Sequence, residues 1–307
     1  MKIAILIPCY NEEKTIGKVV KDHKKLIPEA DIYVYDNNST DDTAKIAKKN
    51  GAIVRFENRQ GKGNVIRSMF RDIDADYYLM IDGDDTYPAE DSRRMIDFAI
   101  ENQSDMLIGD RLSSTYFTEN DRFGHNFGNK LVRNLINWLF KSEVKDIMTG
   151  QRVFSYGFVK TFPVLSEGFQ VETEMTIHAL DKMMRIHEIP VSYRDRPEGS
   201  ESKLSTYSDG FKVLLTIFNM LREFKPRLVY GILSGISFVA SAILAGRAVI
   251  EFFATGMVTY MPSLVVGLVF FAISVLMIIT GLLSSLIAKK HRQLFEINLN
   301  NLLSNKK

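Results

Sequence analysis

Cysteine is almost absent from this sequence, in which Cys9 is the only one. A disulfide within the chain is therefore excluded, and so is a metal site built from several thiolates. The five histidines show no spacing typical of metal ligands. An excess of one charge is also missing, because 39 Lys and Arg residues nearly balance 37 Asp and Glu residues and leave a net charge of +2. The composition therefore predicts no nucleic-acid partner, since such proteins are typically basic.

Charged residues are missing from two long stretches near the C-terminus, residues 228–246 and 252–288. A membrane-spanning helix needs about 20 apolar residues. Buried helices of soluble proteins rarely run so long without charge, so two transmembrane helices are predicted rather than two core helices.

The charges that flank these stretches predict their orientation. Basic residues lie before the first stretch and after the second, at Arg222, Lys225, Arg227, Lys289, Lys290 and Arg292. Between the two stretches, the only charged residues are Arg247 and Glu251. The positive-inside rule then places both ends in the cytoplasm. No signal peptide is recognised at the N-terminus. The prediction is a multi-pass protein of the inner (cytoplasmic) membrane whose N-terminal domain is cytosolic.

Four segments follow from this reading. We expect a cytosolic catalytic domain over residues 1–208, a juxtamembrane amphipathic helix over 209–227, two transmembrane helices with a short external hairpin over 228–288, and a cytosolic tail over 289–307. The juxtamembrane segment has an apolar face and runs directly into the first span, which is typical of a helix at the membrane interface.

The first 208 residues alternate short apolar runs with helical patterns. The apolar runs are residues 2–8, 31–36, 52–56, 77–82 and 105–110. The first of them shows no polar alternation, which indicates a strand buried on both faces of a parallel sheet. Strands alternating with helices predict an α/β domain with a doubly wound, mostly parallel sheet. Ligands bind such sheets beyond the carboxyl ends of the strands, where this sequence places several polar clusters.

An acidic cluster follows the fourth run, in the sequence YYLMIDGDDTYP (77–88). Gly83 allows a tight turn, so Asp82 and Asp84 can face one point. Two carboxylates at this spacing suit Mg²⁺ or Mn²⁺, which prefer oxygen ligands and keep water and phosphate ligands as well. Such an ion would bridge a diphosphate and stabilise the charge on a leaving phosphate.

Three motifs in order carry a resemblance: IPCYNEEKTI (7–16), YDNNSTDDT (35–43) and IDGDDTYP (81–88). They resemble the nucleotide-sugar-binding half of family 2 glycosyltransferases, whose GT-A fold is Rossmann-like. Further motifs are similar to the polyprenyl-phosphate glycosyltransferases, which include dolichyl-phosphate mannose synthases: GDR (109–111), DIMTGQRVFS (146–155), GFQVETEM (168–175) and RPEGSESKL (196–204). The resemblance covers about residues 2–210.

The resemblance implies roles on the donor side. Pro8, Tyr10, Glu12, Asp36 and Asp82 would bind the nucleotide sugar, and Asp84 with Asp82 would hold the metal. Thr86 stands where some mannose synthases carry Gln, which leaves a third metal contact open.

On the acceptor side, the resemblance implies that a lipid phosphate is bound by Arg111, Arg196, Ser202 and Lys203. A phosphate monoester is ionised near neutral pH, with a second pKa of about 6, so it can attack the anomeric carbon without full general-base help. We expect a single in-line displacement that inverts the anomeric configuration, with Asp82, Asp84 and Asp146 as the catalytic residues. Asp146 is either a base or a structural partner of an arginine such as Arg152.

The resulting hypothesis is transfer of a hexose or N-acetylhexosamine, from a donor that is UDP-linked rather than GDP-linked, to undecaprenyl phosphate. One alternative is a GDP-mannose-dependent mannosyltransferase acting on the same kind of lipid. Another is a processive polysaccharide synthase, which usually has more spans and a Gln-x-x-Arg-Trp motif, whereas Trp138 is the only tryptophan here and lies outside such a motif. A sugar nucleotidyltransferase and a non-catalytic scaffold fit the motifs less well. Homo-oligomerisation stays open.

Overall fold

The computed structural model describes residues 1–113, 123–168, 170–194 and 218–306. Contacts divide the chain into two units. The first contains Met1–Thr206 and Leu299–Lys307, and the second contains Tyr207–Asn298.

The first unit is built on a seven-stranded sheet with the order β3-β2-β1-β4-β6-β5-β7. Its strands are β1 Ile3–Cys9, β2 Ala30–Asp36, β3 Ile53–Phe56, β4 Tyr77–Met80, β5 Met106–Asp110, β6 Arg152–Ser155 and β7 Ile186–Pro190. Its helices are α1 Ile16–Leu26, α2 Thr43–Lys49, α3 Lys62–Asp72, α4 Ala89–Glu101, α5 Phe123–Phe140, α6 Tyr156–Thr161 and α7 Val171–Asp181. All neighbouring strands pair in parallel except β6, which runs antiparallel to both β4 and β5.

The core lies around β1, whose residues are almost all buried. The strand has parallel neighbours on both edges, β2 and β4, and it is covered by helices, so an unbroken apolar run is what this position requires. Ile16, Val19 and Val20 on one face of α1 join the same core. The prediction of a doubly wound, mostly parallel α/β fold is confirmed.

The sequence patterns missed β6 and β7, and they placed the end of β4 two residues too late, at Asp82 instead of Met80. Strand β6 has only four residues and begins with Arg152, which is completely buried. Neither alternation nor an apolar run marks such a strand, because its antiparallel position between β4 and β5 is set by contacts distant in sequence.

The second unit contains two long helices, α8 Pro226–Thr255 and the greater part of α9 Met261–Lys306. By length and composition both could cross a membrane, with mean hydropathies of 2.1 and 2.7 over their most apolar windows, of which only 17% is buried. The low burial is unlike that of core helices in a soluble protein. The two predicted spans are therefore confirmed as candidates, and residues 218–224 before them are helical.

Small residues form the contact between these two helices. Small buried residues recur every seven positions, at Ser234, Ser241 and Ala248 on one helix and at Gly267, Ser274 and Gly281 on the other. The Ser234 and Ser274 hydroxyls lie 2.9 Å apart. Small residues let two helix backbones approach closely in lipid, so this seam suits a membrane hairpin.

Candidate active site

The loop 82–88, which follows β4, directs its carboxylates in different directions. Asp84 is 3% exposed, and its Oδ1 accepts hydrogen bonds from the Thr86 hydroxyl at 2.7 Å and from the Thr86 backbone N–H at 3.3 Å. Asp85 has a positive φ of 60°, and its carboxylate lies 2.7 Å from the ammonium of Lys18. Asp84 is therefore turned inward, whereas Asp85 belongs to a surface ion pair.

Asp82 lies in a buried cluster of charges. The Lys62 ammonium is 2.5 Å from Asp82 Oδ1 and 2.7 Å from Glu172 Oε1. Burial would lower the pKa of Lys62, but the two carboxylates outweigh it and hold that pKa above its usual value. Gly150 packs directly against the Asp82 carboxylate, where a Cβ would collide with it. Lys62 was not among the predicted site residues. The sequence feature that could have identified it is its position between Gly61 and Gly63 at the start of α3.

The turn that carries Lys62 is covered by the loop before α7. The backbone N–H of Gly63 donates to the Glu167 carbonyl at 2.9 Å, and a Cβ on Gly63 would collide with the Ser166 carbonyl. The carboxylate of Glu174 accepts the backbone N–H groups of Leu165 and Ser166, both at 3.0 Å. Glu174 thus fixes the covering loop, whereas Glu172, on another face of α7, faces Lys62.

The residues predicted to bind the nucleotide lie at the carboxyl ends of β1 and β2: Pro8, Tyr10, Glu12 and Asp36. The first three are half-buried, and Asp36 is 4% exposed. Asp36 Oδ1 is buried with no hydrogen-bond partner in the described part of the chain. Because such an acceptor is costly to leave unsatisfied, this carboxylate suits contact with a ligand donor group. Gly83 packs closely against Cys9 and Glu12, which brings the acidic loop to the same edge of the sheet.

Arg111 and Asp146 form a bidentate ion pair beside this edge. Arg111 Nε donates to Asp146 Oδ2 at 2.7 Å, and Nη2 donates to Oδ1 at 3.1 Å. The guanidinium carbon also lies 5.4 Å from the centre of the Tyr193 ring, which packs edge-on against Tyr87 of the acidic loop. These contacts bring an arginine predicted to bind the acceptor next to the predicted donor loop.

The suggested pairing of Asp146 with Arg152 is wrong. The Arg152 guanidinium donates instead to the carbonyls of Ile147 and Thr149 and to the Thr176 hydroxyl. Its complete burial lowers its pKa to about 10. A four-residue strand that begins with a buried arginine could not be recognised from the sequence, so the nearer arginine in the chain was chosen in error.

Three of the predicted acceptor-phosphate residues, Arg196, Ser202 and Lys203, lie outside the described residues. The described chain stops just before them, at Arg194, whose backbone N–H donates to the Thr86 carbonyl at 2.9 Å. Arg194, the last described residue before them, is therefore held against the acidic loop.

The carboxylates here fit a divalent cation only in part. No group of three or more His, Cys, Asp or Glu side chains that could hold a metal occurs among the described residues. Asp84 offers one buried carboxylate, and Asp82 shares its own with Lys62. Mg²⁺ and Mn²⁺ suit such a sparse set, because they take water and substrate phosphates as their remaining ligands. The residues fit a cation that arrives with a diphosphate better than a permanently bound ion.

Comparison with known proteins finds glycosyltransferases of related sequence and a solved structure of similar fold. The glycosyltransferase AglJ of Haloferax volcanii is 30% identical over 294 residues, which is 95% of both chains. The dolichyl-phosphate hexose transferase of the same organism is 28% identical and covers 74% of this chain and 96% of its own. Glucosyl-3-phosphoglycerate synthase from Mycobacterium tuberculosis, solved with Mn²⁺, UDP and phosphoglyceric acid, superposes with a TM-score of 0.53 at 20% identity, over 76% of this chain and 78% of that one. The likeness to this structure concerns the fold alone.

The profile described as glycosyl transferase family 2 matches residues 4–161. This range runs from β1 to the end of α6, and it includes the acidic loop and the Arg111–Asp146 pair. The predicted resemblance is confirmed: this chain is a glycosyltransferase, and it belongs to glycosyltransferase family 2.

Proposed function

We propose that this glycosyltransferase transfers a hexose or N-acetylhexosamine from a UDP-sugar to a polyprenyl phosphate such as undecaprenyl phosphate, with inversion at the anomeric carbon. The observation that carries the proposal is the contact between Tyr87 and Tyr193, which joins the acidic loop to Arg111. The residues that we propose for a metal-bound diphosphate and for a second phosphate therefore lie side by side in one domain. The dolichyl-phosphate hexose transferase among the relatives supports a lipid phosphate as the acceptor.

The nucleotide sugar binds at the carboxyl ends of β1, β2 and β4. Asp36 accepts a donor group of the base or ribose, and Pro8, Tyr10 and Glu12 line the pocket. Asp84 is the main ligand of Mg²⁺ or Mn²⁺, with Asp82 beside the diphosphate. The cation, when bound, neutralises charge that develops on the leaving diphosphate. The mycobacterial synthase, which shares the fold, was solved with Mn²⁺ and UDP, and the donor and metal proposed here are of the same kind.

The acceptor phosphate binds to Arg111, together with Arg196, Ser202 and Lys203 from the following segment. One of its oxygens forms a bond to the anomeric carbon while the bond from that carbon to the diphosphate breaks and the diphosphate departs with the electron pair. The role of the protein is to align the two phosphates and to compensate their charge. The lipid is reached from the cytosolic face of the inner membrane, to which α8 and α9 anchor the catalytic domain as a multi-pass protein.

The test is transfer of label into lipid. The purified full chain is mixed with undecaprenyl phosphate, Mg²⁺ or Mn²⁺, and radiolabelled UDP-glucose, UDP-N-acetylglucosamine or GDP-mannose in separate reactions. We expect label in the organic phase with a UDP-sugar, and none after the metal is chelated. Label from GDP-mannose alone would favour the mannosyltransferase alternative, and a water-insoluble polymer would favour a processive synthase. The absence of labelled lipid with every donor would overturn the proposal.

A further inference from the structure

The carboxylate of Asp146 is fully engaged. Its Oδ2 accepts from Arg111 Nε at 2.7 Å and from the Arg111 backbone N–H at 3.3 Å. Its Oδ1 accepts from Arg111 Nη2 at 3.1 Å and from the Met148 backbone N–H at 3.2 Å. The residue is only 2% exposed. Each oxygen therefore has two donors, and little of the carboxylate is open to a substrate proton.

A general base needs a different arrangement. It must reach the proton it removes at about 2.6–3.2 Å, directly or through one water. Asp146 could do so only by giving up the fork of Arg111, whose two parallel hydrogen bonds stabilise the ionised carboxylate. The attacking group makes such a base unnecessary, because an ionised phosphate monoester already carries its electron pair on oxygen.

Arg111 is held from a second direction by aromatic rings. The Tyr193 ring lies 5.4 Å from its guanidinium carbon, and the Tyr87 ring centre is 5.4 Å from that of Tyr193. The Tyr87 hydroxyl in turn accepts the backbone N–H of Gly150 at 3.1 Å. Gly150 is the residue against which the Asp82 carboxylate packs. The orientation of Arg111 is thus tied to the loop that carries Asp82 and Asp84.

We propose that Asp146 is a positioning residue, which together with Tyr193 holds the Arg111 guanidinium in the orientation that binds the acceptor phosphate. It takes no proton during transfer. This role rests on the proposed function. The fork to Asp146 uses two of the five N–H donors of the guanidinium, through Nε and Nη2. Bond formation and cleavage then balance without any proton leaving the acceptor.

A double-mutant cycle tests this role, with Asp146→Asn, Arg111→Gln and the double variant assayed for sugar transfer to undecaprenyl phosphate. We expect Asp146→Asn to raise the KM for the lipid phosphate about tenfold and to leave the KM for the nucleotide sugar unchanged. Arg111→Gln should raise the KM for the lipid phosphate by a larger factor. The double variant should be no worse than Arg111→Gln, within about twofold, because Asp146 acts only through Arg111.

A base would give the opposite result. Asp146→Asn would then lower kcat by about 10²–10⁴-fold with an unchanged KM for the lipid, and it would abolish the acid limb of the pH profile of kcat. In the double variant, the loss of activity from Asp146→Asn would multiply the loss from Arg111→Gln. Any of these results overturns the positioning role while the proposed function stands. A wild-type enzyme that labels no lipid overturns both.

Two controls keep the result interpretable. Asp97→Asn removes one of the two carboxylate partners of Arg93, in an exposed pair at 2.9 Å, and should change neither KM. UDP binding in the presence of Mn²⁺ reports the fold of each variant. If Asp146→Asn fails to bind UDP, the Tyr193 variants decide: Tyr193→Leu should raise the KM for the lipid, and Tyr193→Phe should not, because it keeps the ring. Equal KM values for these two variants would overturn the proposal.

Discussion

At the scale of single residues, three neighbouring carboxylates have three different partners. Asp82 is paired with buried Lys62, Asp84 with the hydroxyl and backbone of Thr86, and Asp85 with exposed Lys18. Their mutual repulsion is therefore relieved in different ways. Asp84, at 3% exposed, is the most deeply buried of the three carboxylates, and we propose it as the main ligand of the divalent cation.

Replacement of Asp84 tests this difference. We expect Asp84→Asn to lower sugar transfer by about 10²-fold or more, because charge on the leaving diphosphate is no longer neutralised through a bound cation. The measurement is labelled lipid formed per minute at saturating donor, over a range of Mn²⁺ concentrations. Asp85→Asn is the matched control one position away, and we expect it to keep activity within a few fold. Full activity of Asp84→Asn would refute the metal assignment.

Lys62 provides a second test at this scale. Lys62→Met removes the ammonium that pairs with Asp82 and Glu172, of which the Glu172 side chain is buried, at 5% exposed. Loss of one partner of a buried ion pair costs about 3–5 kcal/mol of the free energy of unfolding. Lys18→Met breaks a pair whose lysine is half-exposed, and about 1 kcal/mol or less is expected there. Denaturant unfolding of both variants measures the difference, and equal losses would contradict the importance of the buried cluster.

At the scale of elements, the sequence patterns identified those parts of the fold that carry their own signal. The strands β1 to β5 are apolar runs, and all five were predicted from those runs. Strands β6 and β7 were missed, because they are short and mixed in composition and owe their place to β5. The partner of Asp146 was missed for the same reason. Arg111 lies 35 residues away in sequence and reaches it only through the pairing of strands.

Helices α1 and α4 meet at a buried polar contact that depends on pH. His23 lies on α1 with its Nδ1 2.8 Å from the Val19 carbonyl and its Nε2 2.9 Å from the Ser92 hydroxyl of α4. Burial lowers the pKa of His23 below its usual value. The folded state therefore keeps this ring neutral, whereas the unfolded chain takes up a proton below about pH 6.5. Stability from this residue is complete above that pH and is lost as the pH falls below it.

The expected result is a lower unfolding temperature at pH 5 than at pH 7, with part of the difference removed in His23→Gln. The glutamine cannot take up the proton, so its unfolded state gains nothing from acid. His291→Gln, at an exposed position, is the control and should retain the wild-type difference. Thermal unfolding followed by circular dichroism at the two pH values gives the comparison. An identical pH dependence in wild type and His23→Gln would show that His23 stays neutral in both states or is accessible to acid when folded.

At the scale of the whole molecule, a soluble-type catalytic domain and an apolar hairpin occur in one chain. The hairpin buries its small residues between the two helices and exposes large apolar ones, such as Ile243 at 67% and Ile287 at 69%. Exposure of these apolar side chains to water is unfavourable, whereas the acyl chains of a bilayer would solvate them. If the acceptor is a membrane lipid, as we propose, enzyme and substrate would be confined to the same surface, and the hairpin would raise the effective concentration of one for the other.

The orientation of that hairpin can be measured with a thiol reagent that does not cross membranes. Cys9 is the only cysteine and is buried, so the unmodified chain is the blank in intact cells. Met257 lies in the short connection between α8 and α9 and is 69% exposed, and Ser304 is exposed near the end of α9. We expect Met257→Cys to be labelled from outside the cells and Ser304→Cys only after the membrane is permeabilised, because the basic flanks of the hairpin predict that both ends lie in the cytoplasm. The reverse pattern would place the catalytic domain outside and separate it from cytosolic nucleotide sugars. Labelling of both positions in intact cells would show that the two helices do not form a membrane-spanning hairpin.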